Sequence, residues 1–104
     1  MSGSLLCPAC NKGIGVPAAL DAGTVSWPEK GWIQFQCPLC RMDSALEVRD
    51  GVVRTGHMEG NSFISASEAA VEGLTAGFKD GIEVRASGRQ WFFPAFRRRQ
   101  RPTC

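Results

Sequence analysis

Alternating apolar and polar positions predict strands in the middle of the chain. Residues 32–36 alternate in part, as Trp-Ile-Gln-Phe-Gln, and are predicted to form a strand. Residues 45–49 and 52–54 are rich in β-forming residues and flank the pair Asp50-Gly51. An Asp-Gly pair between such runs is typical of a type I′ turn, in which both central residues take positive φ. The pattern therefore predicts a β-hairpin.

Further along the chain the periodicity changes to that of a helix. Ser65 and Glu68 have the spacing of a capping box. Four apolar residues follow on one helical face, namely Ala70, Val71, Leu74 and Phe78. Gly73 and Gly77 each weaken such a helix by roughly 1 kcal/mol relative to Ala, so packing has to hold it. Gly81 is the predicted stop.

The remaining segments are predicted as one further hairpin and three irregular stretches. Residues 82–93 read as two strands around the turn Ser-Gly-Arg. Residues 13–17 are predicted to be a short strand or extended segment. Residues 21–31 contain Gly and Pro and are predicted to be a long loop, and residues 57–64 a linker.

Composition places the chain among globular proteins with a thin core. It has 104 residues, 43% of them hydrophobic, with 12 glycines and 6 prolines. A loop-rich chain of this size usually needs a cross-link, or staple, to stabilise its fold. A structural metal ion can be that cross-link, because its binding free energy becomes folding free energy.

Charge is unevenly distributed along the chain. The formal net charge is +2, yet without residues 97–104 acidic residues outnumber basic ones. A basic tail on an acidic body favours polyanionic partners. No signal peptide and no membrane-spanning run is evident in the sequence, so we expect a cytoplasmic protein with reduced thiols.

Four of the five cysteines form two short pairs, and these are the strongest chemical signal in the chain. The pairs are Cys7-Pro-Ala-Cys10 and Cys37-Pro-Leu-Cys40, separated by residues 11–36. Each CxxC turn places two thiolates close together, and two such turns make a tetrahedral S4 site that suits one structural Zn²⁺ ion.

This arrangement resembles the zinc-ribbon superfamily. It is particularly similar to small bacterial ribbons in which CPxC precedes an extended segment with Val-Pro, here Val16-Pro17. The resemblance covers about residues 5–55, and its metal-ligand positions match Cys7, Cys10, Cys37 and Cys40. In that family Gly often follows each pair, because the backbone turns left-handed there. Here those positions hold Asn11, which tolerates that conformation, and Arg41, which tolerates it less well.

The expected fold is a small metal-stapled α+β protein. A zinc-ribbon β module over residues 5–56 is followed by a helix-plus-hairpin unit over residues 57–96 and a basic tail over residues 97–104.

Other readings of the cysteines remain open. A rubredoxin-like iron site in an electron carrier also uses two CxxC pairs, and a redox dithiol uses one. Catalytic zinc sites keep an open position and usually use His or carboxylate ligands.

The single histidine, His57, is expected on the surface, and Cys104 is expected to be a free thiol. No catalytic motif or small-molecule site is evident, so we expect a binding module and not an enzyme.

Two kinds of partner fit the C-terminal region. In the first hypothesis the protein is nucleic-acid-associated or regulatory, with arginines on phosphates and an aromatic ring on bases. The contact residues would be Arg89, Phe92, Arg97, Arg98, Arg99 and Arg101. In the second hypothesis it is a protein-interaction adaptor that pairs through the edge at Trp91–Phe96 or the hairpin at residues 46–54.

Overall fold

A computed structural model describes residues 5–86 and 88–96. This part of the chain forms three antiparallel sheets and one short helix. The elements are β1 (Leu5–Leu6), β2 (Gly13–Ile14), α1 (Val16–Asp21), β3 (Gly23–Trp27), β4 (Trp32–Gln36), β5 (Asp43–Arg49), β6 (Val52–Glu59), β7 (Ser62–Ala70), β8 (Thr75–Phe78), β9 (Gly81–Ala86) and β10 (Arg89–Pro94).

The largest sheet has five strands in the order β3-β4-β5-β6-β7. Alternation along β4 buries Ile33 and Phe35 on its inner face and leaves Trp32 and Gln34 on its outer face. The predicted β5–β6 hairpin is confirmed. Asp50 and Gly51 have φ of 53° and 76°, as a type I′ turn requires.

The predicted loop over residues 21–31 is wrong for most of its length. It contains β3, which pairs with β4 so that Trp27 lies opposite Trp32. A tight turn follows, in which the amides of Lys30 and Gly31 donate to the Trp27 carbonyl at 3.0 and 2.9 Å. Pro28 and Gly31 belong to this turn and not to a long loop, and Gly31 supplies its positive φ of 74°.

The predicted helix after residue 65 is also wrong, and with it the α+β class, because the described chain is mostly β. Residues 62–70 form β7, which pairs with β6 along its length. Glu68 does not cap a helix: its carboxylate accepts from Arg54 across the strands at 3.1 Å. Gly73, with φ of 75°, breaks the segment before β8. The alanines of this segment favour a helix and its glycines and serines do not, and pairing with β6 outweighs the helical preference.

The helix that does form lies elsewhere, where residues 13–17 were predicted to be extended. Residues 13–14 are a strand as expected, but α1 begins at Val16. Pro17 lies in the first turn of α1, where its missing N–H costs nothing. Ala19 and Leu20 are buried beneath the helix, so tertiary packing stabilises these six residues.

The third sheet has the order β10-β9-β8, and its β9–β10 hairpin is confirmed with Ala86 opposite Arg89. It joins the large sheet through Ser26, which is fully buried. The Ser26 hydroxyl donates to the Phe93 carbonyl at 2.7 Å, and the Phe96 amide donates to the Ser26 carbonyl at 2.7 Å. β10 therefore lies beside β3.

One hydrophobic cluster connects the helix and the two larger sheets. Its fully buried members include Leu5, Leu20, Ile33, Phe35, Leu46, Val53, Ile82 and Val84. The predicted boundary between residues 56 and 57 falls within β6. Whether residues 5–56 fold alone stays a prediction.

Candidate metal centre

The first cysteine pair lies in a tight turn between β1 and β2. The Cys7 amide donates to the Lys12 carbonyl at 3.0 Å, and the Asn11 amide donates back to the Cys7 carbonyl at 2.8 Å. Inside the turn the amides of Ala9 and Cys10 point at the Cys7 Sγ, at 3.3 and 3.4 Å. Asn11 has φ of 61°, the left-handed conformation expected after the pair.

The second pair repeats this geometry between β4 and β5. The Cys37 amide donates to the Met42 carbonyl at 3.0 Å, and the Arg41 amide donates to the Cys37 carbonyl at 2.8 Å. The Leu39 amide points at the Cys37 Sγ at 3.3 Å. Arg41 adopts φ of 62° despite its large side chain, and the side-chain Nε2 of Gln36 donates to the Arg41 carbonyl at 2.9 Å.

The two turns meet and bring four thiols together. The four Sγ atoms all lie within 4.8 Å of one another. Cys7 and Cys40 approach to 3.6 Å, and Cys10 and Cys37 to 4.0 Å. A tetrahedral ion with metal–sulfur distances of about 2.3 Å needs its sulfurs about 3.8 Å apart, so the residues fit one such ion.

Burial differs within each pair. Cys7 and Cys37 are fully buried in the hydrophobic cluster, whereas Cys10 and Cys40 are partly exposed. Each turn therefore places one sulfur against the core and one nearer the surface. Four protein sulfurs complete a tetrahedron, which is the arrangement of closed structural sites.

The ionisation of neighbouring thiols in the cluster also favours a bound cation. Burial raises the pKa of Cys7, but hydrogen bonds from the amides of Cys10 and Ala9 and from neighbouring thiols outweigh it and lower this pKa from 9.0 to about 7. The Met42 amide lowers the pKa of Cys40, but burial and the neighbouring thiols raise it to about 12. The first thiolate thus opposes ionisation of the others, and a bound metal ion relieves that repulsion.

The other residues singled out in the sequence lie away from this centre. His57 is exposed in β6, with Nε2 3.5 Å from a carboxylate oxygen of Glu59, and it does not join the cysteines. Arg89 bonds Asp21 at 2.9 Å, and its guanidinium lies 4.7 Å from the Trp91 ring centroid. Phe92 is 55% exposed. The remaining predicted residues, Arg97, Arg98, Arg99, Arg101 and Cys104, lie outside the described residues.

Of the two edges predicted for partner pairing, the 46–54 hairpin is occupied and the Trp91–Phe96 edge is bridged only at its end. The strands of the 46–54 hairpin lie inside the large sheet, between β4 and β7. The end of β10 bridges to β3 through Ser26 and Ala95. The other edge of the three-stranded sheet is β8, whose four residues are all exposed.

Sequence reasoning missed two features. One is Asp21, whose Oδ1 accepts hydrogen bonds from the Trp91 indole at 2.6 Å and from Arg89. The other is a groove on the outer face of the large sheet, bordered by Trp27 and Trp32. The short turn between these tryptophans was a signal for their pairing, but nothing local indicates that Asn61 completes the groove.

No protein-family model, curated protein or solved structure matches this chain. Its function is therefore inferred from its own residues. Among residues 5–86 and 88–96, no helix is long and apolar enough to cross a membrane.

Proposed function

We propose that the chain binds one Zn²⁺ ion as a structural centre and acts as a non-enzymatic binding module. The observation that carries this is the cluster of four thiols within 4.8 Å of one another. Thiolate ligands in a tetrahedral set suit zinc, and four of them leave no open position for a substrate. Reduced thiols are also consistent with a cytoplasmic location.

The metal would hold together parts of the chain that have little structure of their own. β1 and β2 have two residues each, and Cys37–Cys40 joins them to β4 and β5. Coordination closes the long segment between Cys10 and Cys37, so binding free energy becomes folding free energy.

Elemental analysis of the purified protein tests this proposal. We expect one zinc per chain, no strong visible absorbance, and loss of ordered near-ultraviolet circular dichroism after chelation. A red protein that contains iron would favour the rubredoxin-like electron carrier instead. A melting temperature unchanged after complete chelation would exclude a structural role for any metal.

For the ligand of the module we propose nucleic acid. Four arginines among residues 97–101 provide charges for phosphates, and exposed aromatic rings at Phe92 and Phe96 lie near the start of that segment. Arg89 supports the proposal less, because it already bonds Asp21. A salt titration tests it: affinity should fall with a slope of about four ions at most, and truncation after Phe96 should abolish most binding.

A protein-adaptor role is the second candidate, and the exposed edge of β8 favours it. No strand of the described residues pairs with the outer edge of β8. An extended segment of a partner could add there through main-chain hydrogen bonds. Salt-insensitive binding to a protein, abolished by Ala76→Pro, would favour this role over nucleic-acid binding.

A further inference from the structure

We propose that the groove on the outer face of the large sheet receives unpaired bases of a single-stranded nucleic acid. The groove has a volume of about 550 Å³ and is bordered by Trp27, Lys30, Trp32, Gln34, Asp43 and Asn61. This inference rests on the proposed nucleic-acid function and names the site and the kind of nucleic acid.

Large aromatic side chains form the wall of the groove, and small residues form its floor. Trp27 and Trp32 lie directly opposite each other on β3 and β4, so both side chains emerge on the same face. Ala45, on the floor, is buried and leaves space above it. Phe63 extends the wall, because its ring stacks on Trp32 with centroids 6.2 Å apart. Flat aromatic walls of this kind stack on the faces of bases, whatever the base.

Polar groups along the groove match the edges of bases. Gln34 and Asn61 each carry an amide that offers both a donor and an acceptor, and Asp43 carries an acceptor. Within residues 5–86 and 88–96, neither amide side chain makes a hydrogen bond. Amide side chains pair with adenine edges and carboxylates accept from the cytosine amino group. An unstacked base presents both its faces and its edges, whereas a duplex presents neither face.

Positive charge lies beside the aromatic wall. The Lys30 ammonium is 5.0 Å from the Trp32 ring centroid. Trp27 stacks on Phe96 with centroids 5.6 Å apart. The residues that follow Phe96 in the sequence are Arg97, Arg98 and Arg99. A strand whose bases enter the groove therefore has the Lys30 ammonium available for its phosphates, which a neutral ligand would not need.

The test measures binding of labelled oligonucleotides to the full, metal-loaded chain by fluorescence anisotropy. The probes are short single strands of each base and one duplex of the same length, at low salt. Trp32→Ala removes the wall and Gln34→Leu removes an amide at similar size. Phe78→Ala is the matched control, since Phe78 is an exposed aromatic on the three-stranded sheet and does not border the groove. Metal content and melting temperature show that each variant is folded.

We expect single strands to bind more tightly than the duplex, and Trp32→Ala to weaken them roughly five- to 150-fold. Gln34→Leu should change the preference among bases, and Phe78→Ala should leave affinity unchanged. If Trp32→Ala fails to fold, Gln34→Leu decides the question.

Three results would overturn the inference. If truncation after Phe96 abolishes binding while both groove variants bind like the wild type, the tail binds alone and the nucleic-acid function survives without the groove. Equal affinity for duplex and single strand would show that no base enters. If the wild-type protein binds no oligonucleotide at low salt, the nucleic-acid function itself fails, and a protein partner at β8 becomes the better explanation.

Discussion

β1 and β2 are two residues long and α1 has six residues, whereas β5, β6 and β7 have seven to nine residues and pair along their lengths. We call residues 5–22 together with Cys37–Cys40 the knuckle end. Elements this short gain too little from their own hydrogen bonds to offset the entropy of ordering them. At the knuckle end, the metal site and a few buried side chains have to supply that difference.

The two larger sheets are stabilised by ordinary packing. Ile82 and Val84 of β9 are fully buried, and Phe93 of β10 nearly so. Glycines allow close approach within this packing: at Gly23, an added Cβ would overlap the ring of Phe93. The comparison suggests that the two regions should respond differently to loss of metal and to loss of packing.

Loss of one thiol should have the largest effect. Cys40→Ser leaves three thiolates, and we expect the knuckle end to lose most of the stabilisation from metal binding. In hydrogen exchange, amides of residues 5–22 should lose protection before those of β5–β7. Cys104→Ser is the matched control, and it should keep the metal and the wild-type exchange pattern. Equal loss of protection in every strand would show that the two regions unfold as one unit.

Acid should release the metal and affect the same region. Thiols must lose their protons to bind a metal ion, so protons compete with the metal and its affinity falls as pH falls. Below about pH 7 even Cys7, whose pKa is lowered to about 7, becomes protonated in the metal-free protein, and the loss should steepen. A chromogenic chelator follows the release. Metal retained in strong acid would contradict a site made of four thiolates.

Overpacking tests the region that does not depend on metal. At Gly56, an added Cβ would overlap the Ile64 carbonyl and lie 2.8 Å from Phe63 Cζ. Gly56→Ala should therefore destabilise the β6–β7 pair by about 1–3 kcal/mol, with metal content unchanged. Gly77→Ala is the control, because nothing lies within 4 Å of its added Cβ. Loss of metal in Gly56→Ala would show that the regions are more strongly coupled than the comparison suggests.

Structural features that are specified by short sequence motifs were predictable from the sequence. Asp50-Gly51 specifies its own turn because both residues tolerate positive φ, and each CPxC pair specifies a tight turn for its thiolates. The spacing of the cysteines likewise predicted which four side chains meet.

Features that depend on distant partners were not predictable. Residues 65–78 carry apolar residues at helical spacing, but pairing of residues 62–70 with β6 outweighs that pattern. The groove depends on Trp32 and Asn61 coming together across the sheet, which no local pattern specifies. α1 was missed because residues 13–17 were predicted to be extended, although Pro17 is compatible with the first turn of a helix.

Asp21 connects the two regions. It ends α1 at the knuckle end, and its Oδ1 accepts a hydrogen bond from the Trp91 indole of β10 at 2.6 Å. Trp91 is 8% exposed, so Asp21 is the acceptor for an indole that is largely buried. Arg89 bonds the same oxygen from the surface.

Asp21→Ala should therefore destabilise the protein by about 1–3 kcal/mol, because it leaves the indole N–H without its acceptor. Arg89→Ala removes only the exposed ion pair, so it should cost less than about 1 kcal/mol. Asp80→Ala, at an exposed carboxylate outside this cluster, is the control and should cost nothing measurable. Urea unfolding followed by tryptophan fluorescence gives the three values. If Arg89→Ala costs as much as Asp21→Ala, the ion pair and not the indole hydrogen bond connects the knuckle end to β10.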